Sequence, residues 1–248
     1  DVYKRQKLIT IVVPCYNESG RLPFMAFDRF LNINSHVIFC FVNDGSNDKT
    51  IIILKELKIL HPHHVFVVDN SINQGKAEAV RQGMLFSMNC LKTKYVAFLD
   101  ADLSTSLTEV LRLFQIMQQK ELLFVFGSRI ASYGNIIERY KFRHYGGRIF
   151  ATIVSMILGL VIYDTQCGIK IFTSELAKRL FQCSFEDRWI FDVEIFARLK
   201  RMYNLEELRE VMLEIPLSEW TETGSSRIKF KDLVKVPISL FRIWLAYR

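Results

Sequence analysis

Several familiar chemistries are missing from this chain. Neither G-x-x-x-x-G-K-[ST] nor G-x-G-x-x-G follows its first apolar run, which disfavours P-loop and dinucleotide-binding readings. Its five cysteines (Cys15, Cys40, Cys90, Cys167 and Cys183) are odd in number, scattered and without a C-x-x-C pair. That spacing argues against a disulfide framework or a zinc site and reads as reduced thiols of a cytosolic compartment, mostly small core residues. Histidine is scarce, five in all. His61-Pro62-His63-His64 looks like a metal tract, but a proline between histidines ahead of an apolar run reads better as a polar loop. His36 and His144 stand alone. No signal peptide, repeat or low-complexity tract is visible. The apolar run 149–163 is too short to cross a bilayer, which takes about 20 residues. Residues 1–7 lack a Met and any periodicity. They are set aside as a fragment end or non-native leader, which leaves room for an upstream anchor.

What is present points to an anionic ligand. The 248 residues are 50% hydrophobic, enough for one large domain or a domain with an extension. Mean hydropathy is +0.14, high for a soluble protein. A net charge of +7 and a pI near 9.1 suit a phosphorylated ligand, a membrane surface or nucleic acid. Nucleic acid is the weakest of the three, because the basic residues do not interleave with an aromatic platform on strands.

Residues 8–126 alternate two kinds of segment. Leu8–Val13, His36–Val42, Val65–Val68, Tyr95–Leu99 and Leu122–Phe126 are short apolar runs rich in β-branched and aromatic residues. Helical patterns lie between them near 21–31, 48–60, 75–90 and 106–119. Such alternation predicts an α/β fold, a mostly parallel sheet flanked by helices, with ligands at the carboxyl ends of the strands. Polar clusters stand at those ends: Pro14-Cys15-Tyr16-Asn17-Glu18, Asn43-Asp44-Gly45-Ser46 and Asp100-Ala101-Asp102. Beyond residue 128 the alternation fades. A basic and apolar stretch covers 139–163, and a second covers 227–248, both reading as amphipathic helices.

The acid pair Asp100 and Asp102 follows a buried strand, where an unpartnered charge costs several kcal/mol or more. A divalent cation that also binds phosphate is the economical partner. Asp44 is placed either to accept hydrogen bonds from a base or ribose, or simply within a capped turn whose N-cap is Ser46 or Asp48. Lys76 opens a helix, where its charge opposes the dipole, so a phosphate or a site carboxylate suits it. Arg129 closes the fifth strand with a planar fork that matches phosphate oxygens, unless it is a plain surface arginine. Asp192 and Glu194 are too close in sequence to share a helix face, so one would cap or line the site while the other does something else.

Taken in order, Val12–Glu18, Asn43–Asp48, Asn73-Gln74-Gly75-Lys76, Asp100-Ala101-Asp102 and Gly127-Ser128-Arg129 resemble the motifs of inverting family-2 glycosyltransferases of the GT-A fold. Asp164–Lys170, Arg188–Glu194 and Trp220–Arg227 resemble the polyprenyl-phosphate branch, most closely dolichyl-phosphate β-glucosyltransferases. The resemblance implies a nucleotide-sugar-binding core over 8–130, an acceptor-binding part over 131–226 and a basic C-terminal segment over 227–248. It implies that Pro14, Tyr16, Glu18 and Asp44 hold the nucleoside. Asp100, Ala101 and Asp102 would bind ribose, diphosphate and a Mg²⁺ or Mn²⁺ ion. Arg129 and Arg227 would meet phosphates, joined by Lys76, and Arg143 the acceptor phosphate. Some positions depart from the family pattern. Asn43 replaces a common Asp, Ala77 a usual Gly and Arg227 a usual Lys, while Thr221 stands where mannosyl relatives tend to carry Arg.

The expected reaction is in-line displacement at the anomeric carbon with inversion. A lipid monophosphate loses its second proton near pH 6 and needs cations rather than a base, a task for Arg143, Arg148 and Arg227. A hydroxyl acceptor would need one, with Asp164 or Asp192 as candidates. Expected partners are a nucleotide-sugar donor, a lipid-phosphate acceptor and the cytoplasmic face of a membrane, with a homo-oligomer left open and no nucleic acid. Alternative readings are a family-2 transferase acting on a glycan hydroxyl, a sugar nucleotidyltransferase, whose Gly-rich first loop is absent here, and a catalytically silent binding module.

Overall fold

The computed structural model describes residues 9–130, 136–138, 141–222 and 230–248, with backbone alone at 138, 141–145 and 230–235. The described residues form two compact units, one drawn from residues up to 103 with 169–184, the other from 104–168 with 185–248.

The first unit is the alternating region. Strands β1 (Ile9–Cys15), β2 (Val37–Asp44), β3 (Val65–Asn70) and β4 (Tyr95–Leu99) alternate with helices α1 (Phe24–Ile33), α2 (Thr50–Leu60) and α3 (Lys76–Phe86). All four strands run parallel in the order β3-β2-β1-β4. A later strand, β7 (Ile169–Thr173), joins the edge of β4 antiparallel, pairing Tyr95 with Thr173 and Leu99 with Ile169, and leads into α6 (Ser174–Phe181). The strand and helix expectations for this region hold to within a few residues at each end. β7 was not foreseen, because its residues were read only as part of a motif.

β2 and β4 are buried at every residue, as strands covered on both faces must be. Phe27 of α1 stacks edge-on against Phe39 and Phe41 of β2 at 5.1 Å each. Burying one such side chain contributes about 1.5–3 kcal/mol. On the other face, α3 comes so close that a Cβ on Gly83 would lie 2.3 Å from the Val12 side chain. Glycine permits that approach and so lets α3, the helix that Lys76 opens, pack close on the sheet.

The second unit holds α4 (Leu107–Gln119), β5 (Phe124–Ser128), β6 (Ile136–Glu138), α5 (Lys141–Leu158), α7 (Phe191–Met202), α8 (Leu205–Val211), β8 (Met212–Pro216), β9 (Glu219–Thr221) and α9 (Phe230–Tyr247). β5 pairs parallel with β8, and β6 with β9. The two basic and apolar stretches are the helices α5 and α9. No helix among the described residues is long and apolar enough to cross a membrane.

Candidate active site

In the first unit the polar residues after β1, β2 and β4 are stapled to one another. Asn17, at φ +50°, donates its backbone N–H to Ser46 Oγ (3.0 Å), and its Oδ1 accepts the Asn47 N–H (2.9 Å). The Glu18 N–H donates to Thr50 Oγ1 (2.8 Å) and the Ser19 N–H to Asp48 Oδ2 (3.1 Å). Neither Ser46 nor Asp48 is the N-cap of α2, which is Lys49 with no side-chain cap bond. Asp48, one residue earlier, instead accepts the Thr50 N–H on Oδ1 (2.9 Å), and Ser46 serves Asn17. Burial disfavours the Asp48 carboxylate, but the hydrogen bonds from Thr50 and Ser19 outweigh it and hold its pKa at about 2.

Asp44 is buried, 3% exposed, and reaches across to the turn before α3. Its Oδ1 accepts the Gln74 N–H (2.9 Å), its Oδ2 the Gly75 N–H (2.8 Å), and its carbonyl the Asn73 amide (3.1 Å). A carboxylate facing a helix start is favoured by the dipole. Asp44 therefore fixes the turn that presents Lys76. Gly45 makes the contact possible. At φ +63°, a Cβ there would lie 2.4 Å from both Ile72 C and Asn73 N.

The presented Lys76 meets Asp100 Oδ1 at 2.5 Å, and Arg21 meets Asp102 Oδ2 at 3.3 Å. Arg21 also lies 3.8 Å from Glu18 Oε2, which ties the β1 loop to the end of β4. Ala101, between the two acids, is buried, and Pro14 and Tyr16 are half-buried. Arg21 did not stand out in the sequence. Its only signal is its place in the same loop as Glu18.

The Asp100 and Asp102 side chains are 38% and 22% exposed. No group of three or more acids, histidines or cysteines that could hold a metal ion forms among the described residues. Two accessible hard-oxygen donors suit a cation such as Mg²⁺ or Mn²⁺ that completes its shell with water and diphosphate oxygens. His61 bonds Asp28 Oδ1 (2.8 Å) and His64 bonds the Val37 carbonyl (3.0 Å), as members of a polar loop.

The second unit builds a different arrangement. Arg129, just after β5, sets Nε and Nη2 on Asp164 Oδ2 and Oδ1 (2.6 and 2.8 Å), a bidentate pair at 15% and 12% side-chain exposure. Asp164 Oδ2 also accepts the Arg129 backbone N–H (3.1 Å), and Oδ1 the Gln166 N–H (3.1 Å). Trp220 of β9 lies under the guanidinium, 5.3 Å from ring centroid to Cζ. Glu214 of β8, unnoticed in the sequence, clamps the loop by accepting the N–H groups of Tyr163 (3.0 Å) and Asp164 (2.8 Å). An acid inside an otherwise apolar strand was its one visible signal. Glu194 is fully buried on α7 and binds Arg198 (2.7 Å), while Asp192 is 4% exposed on the same helix. The side chain of Arg143 and the whole of Arg227 lie outside the described residues.

With both arrangements in view, the family model for glycosyl transferase family 2 matches residues 10–181. The chain belongs to glycosyl transferase family 2. The match covers β1 to α6 and with them the stapled strand ends, Arg129 and Asp164. A dolichyl-phosphate beta-glucosyltransferase of Dictyostelium discoideum is 32% identical over 257 residues, covering 96% of this chain and 74% of that protein. The Saccharomyces cerevisiae protein of the same name is 31% identical over 264 residues, covering 96% and 75%. The Homo sapiens one is 29% identical over 257 residues, covering 97% and 76%. Among solved structures, glucosyl-3-phosphoglycerate synthase from Mycobacterium tuberculosis, crystallised with Mn²⁺, uridine diphosphate and glucosyl-3-phosphoglycerate, superposes at a TM-score of 0.71. It is 15% identical, and the match covers 97% of this chain and 80% of that one. The likeness is one of fold, the GT-A-like α/β class expected from the alternation. This family-2 glycosyltransferase is thus homologous to dolichyl-phosphate glucosyltransferases along nearly its whole length.

Proposed function

We propose that the chain transfers glucose from UDP-glucose to a polyprenyl or dolichyl phosphate with inversion, at the cytoplasmic face of a membrane. The nucleoside would lie against Pro14, Tyr16, Glu18 and Asp44, and the diphosphate beside Lys76 and the Asp100-Ala101-Asp102 turn. A Mg²⁺ or Mn²⁺ ion held by Asp100 and Asp102 would neutralise charge growing on the leaving diphosphate. Lys76 is already fixed 2.5 Å from Asp100 and so is preorganised for the same charge. An acceptor phosphate oxygen would attack the anomeric carbon as the bond to the diphosphate breaks. Arg129, Arg143 and Arg227 are the cations proposed to hold phosphate groups.

The observation that carries the lipid-phosphate reading is the state of Asp164. Its two oxygens accept at least four hydrogen bonds, two from the Arg129 side chain and two from backbone N–H groups. A carboxylate has about four lone-pair sites, so this one is saturated. It suits a positioning residue that aims Arg129 far better than a base for a hydroxyl. A phosphate acceptor, already ionised near neutral pH, needs no such base. The sequence relatives named above point the same way.

The test is a donor panel of UDP-glucose, UDP-N-acetylglucosamine and GDP-mannose with a detergent-dispersed polyprenyl phosphate, followed by lipid extraction. Label should enter the lipid phase from UDP-glucose and vanish with EDTA. Transfer from GDP-mannose alone, or to free sugar hydroxyls instead of the lipid, would overturn the reading.

A further inference from the structure

Three helices of the second unit border an open cavity of about 290 Å³, lined largely by the two basic and apolar stretches and by none of the candidate catalytic, donor-binding or metal residues. Its walls are Ile157 and Leu158 of α5, Ala197, Lys200 and Arg201 at the end of α7, and Ile243, Trp244 and Tyr247 of α9, with Arg248 following. The volume is at the low end for small-molecule sites, roughly 300 Å³. One side is apolar, the other carries three cations, and no acid lines it.

The walls are held firmly. Tyr247 donates its hydroxyl to Glu194 Oε1 (2.7 Å) and accepts from Arg198 Nε (3.0 Å). Burial, then Glu194, pushes the Tyr247 phenol up to about 12, so it stays a donor. Ser239 donates to Asp187 Oδ2 at 2.6 Å, farther along α9. The latch fixes α9 against α7 and leaves the cavity open between them.

The cations around it have no acidic partner. Among the described residues, Lys200, Arg201 and Arg248 make no salt bridge. Arg201 reaches the Ala246 carbonyl (3.4 Å) and lies over the Tyr247 ring at 6.0 Å, and Arg248 lies over the Trp244 ring at 5.0 Å. Lys200 and Arg201 complement the dipole at the end of α7, which accounts for a preference but not for a cavity without a counter-charge. The helix faces beside it are apolar and open. Ile149, Ile153 and Met156 on α5 are 64%, 45% and 78% exposed, and Ile238, Phe241 and Leu245 on α9 are 56%, 60% and 62% exposed. Each set repeats at helical spacing, and each runs up to a cavity residue, Met156 beside Ile157 and Leu245 beside Trp244. Apolar faces bordering uncompensated cations match the boundary of an anionic leaflet.

We infer that the α5–α7–α9 cavity binds the headgroup phosphate of an anionic phospholipid, docking this face of the second unit on the bilayer while the exposed faces of α5 and α9 enter it. This deepens the membrane part of the function proposed above and is separate from the acceptor phosphate.

The experiment is flotation of the full chain with vesicles of phosphatidylcholine alone and of phosphatidylcholine with one-fifth phosphatidylserine. The parent protein should float with the anionic vesicles and weakly with the neutral ones. Lys200→Gln with Arg201→Gln should weaken anionic binding by about tenfold or more, at about 1 kcal/mol per cation near such a surface. Phe241→Ser with Leu245→Ser should do so as well. Arg248→Gln, an exposed change that leaves the helices intact, should weaken it severalfold, and Lys200→Arg with Arg201→Lys should keep it. Equal flotation of the parent with both vesicle types, or undiminished binding by the charge variants, would overturn the inference. Transfer to detergent-dispersed polyprenyl phosphate reads the proposed reaction separately, and the Gln variants should retain it.

Discussion

The two units manage their functional charges in opposite ways. In the first, acids and cations stand partly in solvent and are held by a mesh of backbone donors. Asp44 accepts from Gln74 and Gly75, Asp48 from Ser19 and Thr50, and the Lys76–Asp100 and Arg21–Asp102 pairs sit on top. In the second, one arginine and one aspartate are nearly buried and paired bidentately, with Glu214 and Trp220 completing the seat. The first arrangement leaves its carboxylates accessible and replaceable without unfolding, as an exchangeable metal and diphosphate would require. The second fixes a single direction at the risk of stability, since a buried pair that loses one member leaves an uncompensated charge. Mutation in the first unit should therefore cost activity, and mutation in the second should cost both.

The largest effect is expected at Asp102. Asp102→Ala should lower glucosyl transfer by roughly 10³-fold. Its melting temperature should stay near that of the parent, because a half-exposed pair such as Arg21–Asp102 contributes about 0–1 kcal/mol. Transfer assays with added Mn²⁺, run beside thermal melts, check it. A metal-independent, active Asp102→Ala would remove the first unit's claim to the cation.

Next comes Asp164. Asp164→Ala should destabilise the protein by about 3–5 kcal/mol, measured by urea unfolding. The double replacement Arg129→Met with Asp164→Leu should recover most of that stability and none of the transfer. If the single variant instead unfolds like the parent while kcat alone falls, Asp164 is not acting through a buried pair, and the contrast between the units fails.

How far these arrangements could be read in the sequence follows the same division. The parallel strands, their order of appearance and the acids after β4 were legible because each signal is local: an apolar run, then polar residues where such a run must surface. Lys76 was legible as a cation opposed to its helix dipole, and its partner proved to be a site carboxylate, one of the two expected. The Arg129–Asp164 pair joins a strand end to a distant loop, and Glu214 reaches that loop from β8. Spacing along the chain carries no trace of such contacts, so the sequence left Asp164 open to being a base, and the positioning role proposed for it rests on hydrogen bonds that only the structure displays. β7 escaped for a related reason. Its β-branched and aromatic residues suit a strand, but they were read only as part of a motif, and its antiparallel place on β4 has no local signal.

A smaller effect is expected at Gly45, which probes the mesh of the first unit rather than its acids. Gly45→Ala would place a Cβ 2.4 Å from the backbone of Ile72 and Asn73 at a φ of +63°. The turn before α3 must move, at a cost of about 1–3 kcal/mol, and Lys76 moves with it. Donor KM should rise more than the melting temperature falls would suggest, whereas an unchanged KM would show that the turn does not position Lys76.

The smallest effect is the pH dependence that Asp48 gives the first unit. Its pKa falls on folding from 3.8 to about 2, with burial opposing and the Thr50 and Ser19 hydrogen bonds prevailing. A carboxyl with a depressed folded-state pKa binds protons more readily when unfolded. Its contribution is therefore fully present above about pH 4 and is lost as the pH falls towards 2. The group is partly in solvent, so screening limits the contribution to about 1 kcal/mol or less. Asp48→Asn should flatten the stability profile between pH 4 and 2 and leave it parallel to the parent above pH 5, as followed by urea midpoints at each pH. A variant that loses the same stability at every pH would mean that the amide of Asp48→Asn fails sterically in the mesh, and that charge is not what binds the β1 loop to the start of α2.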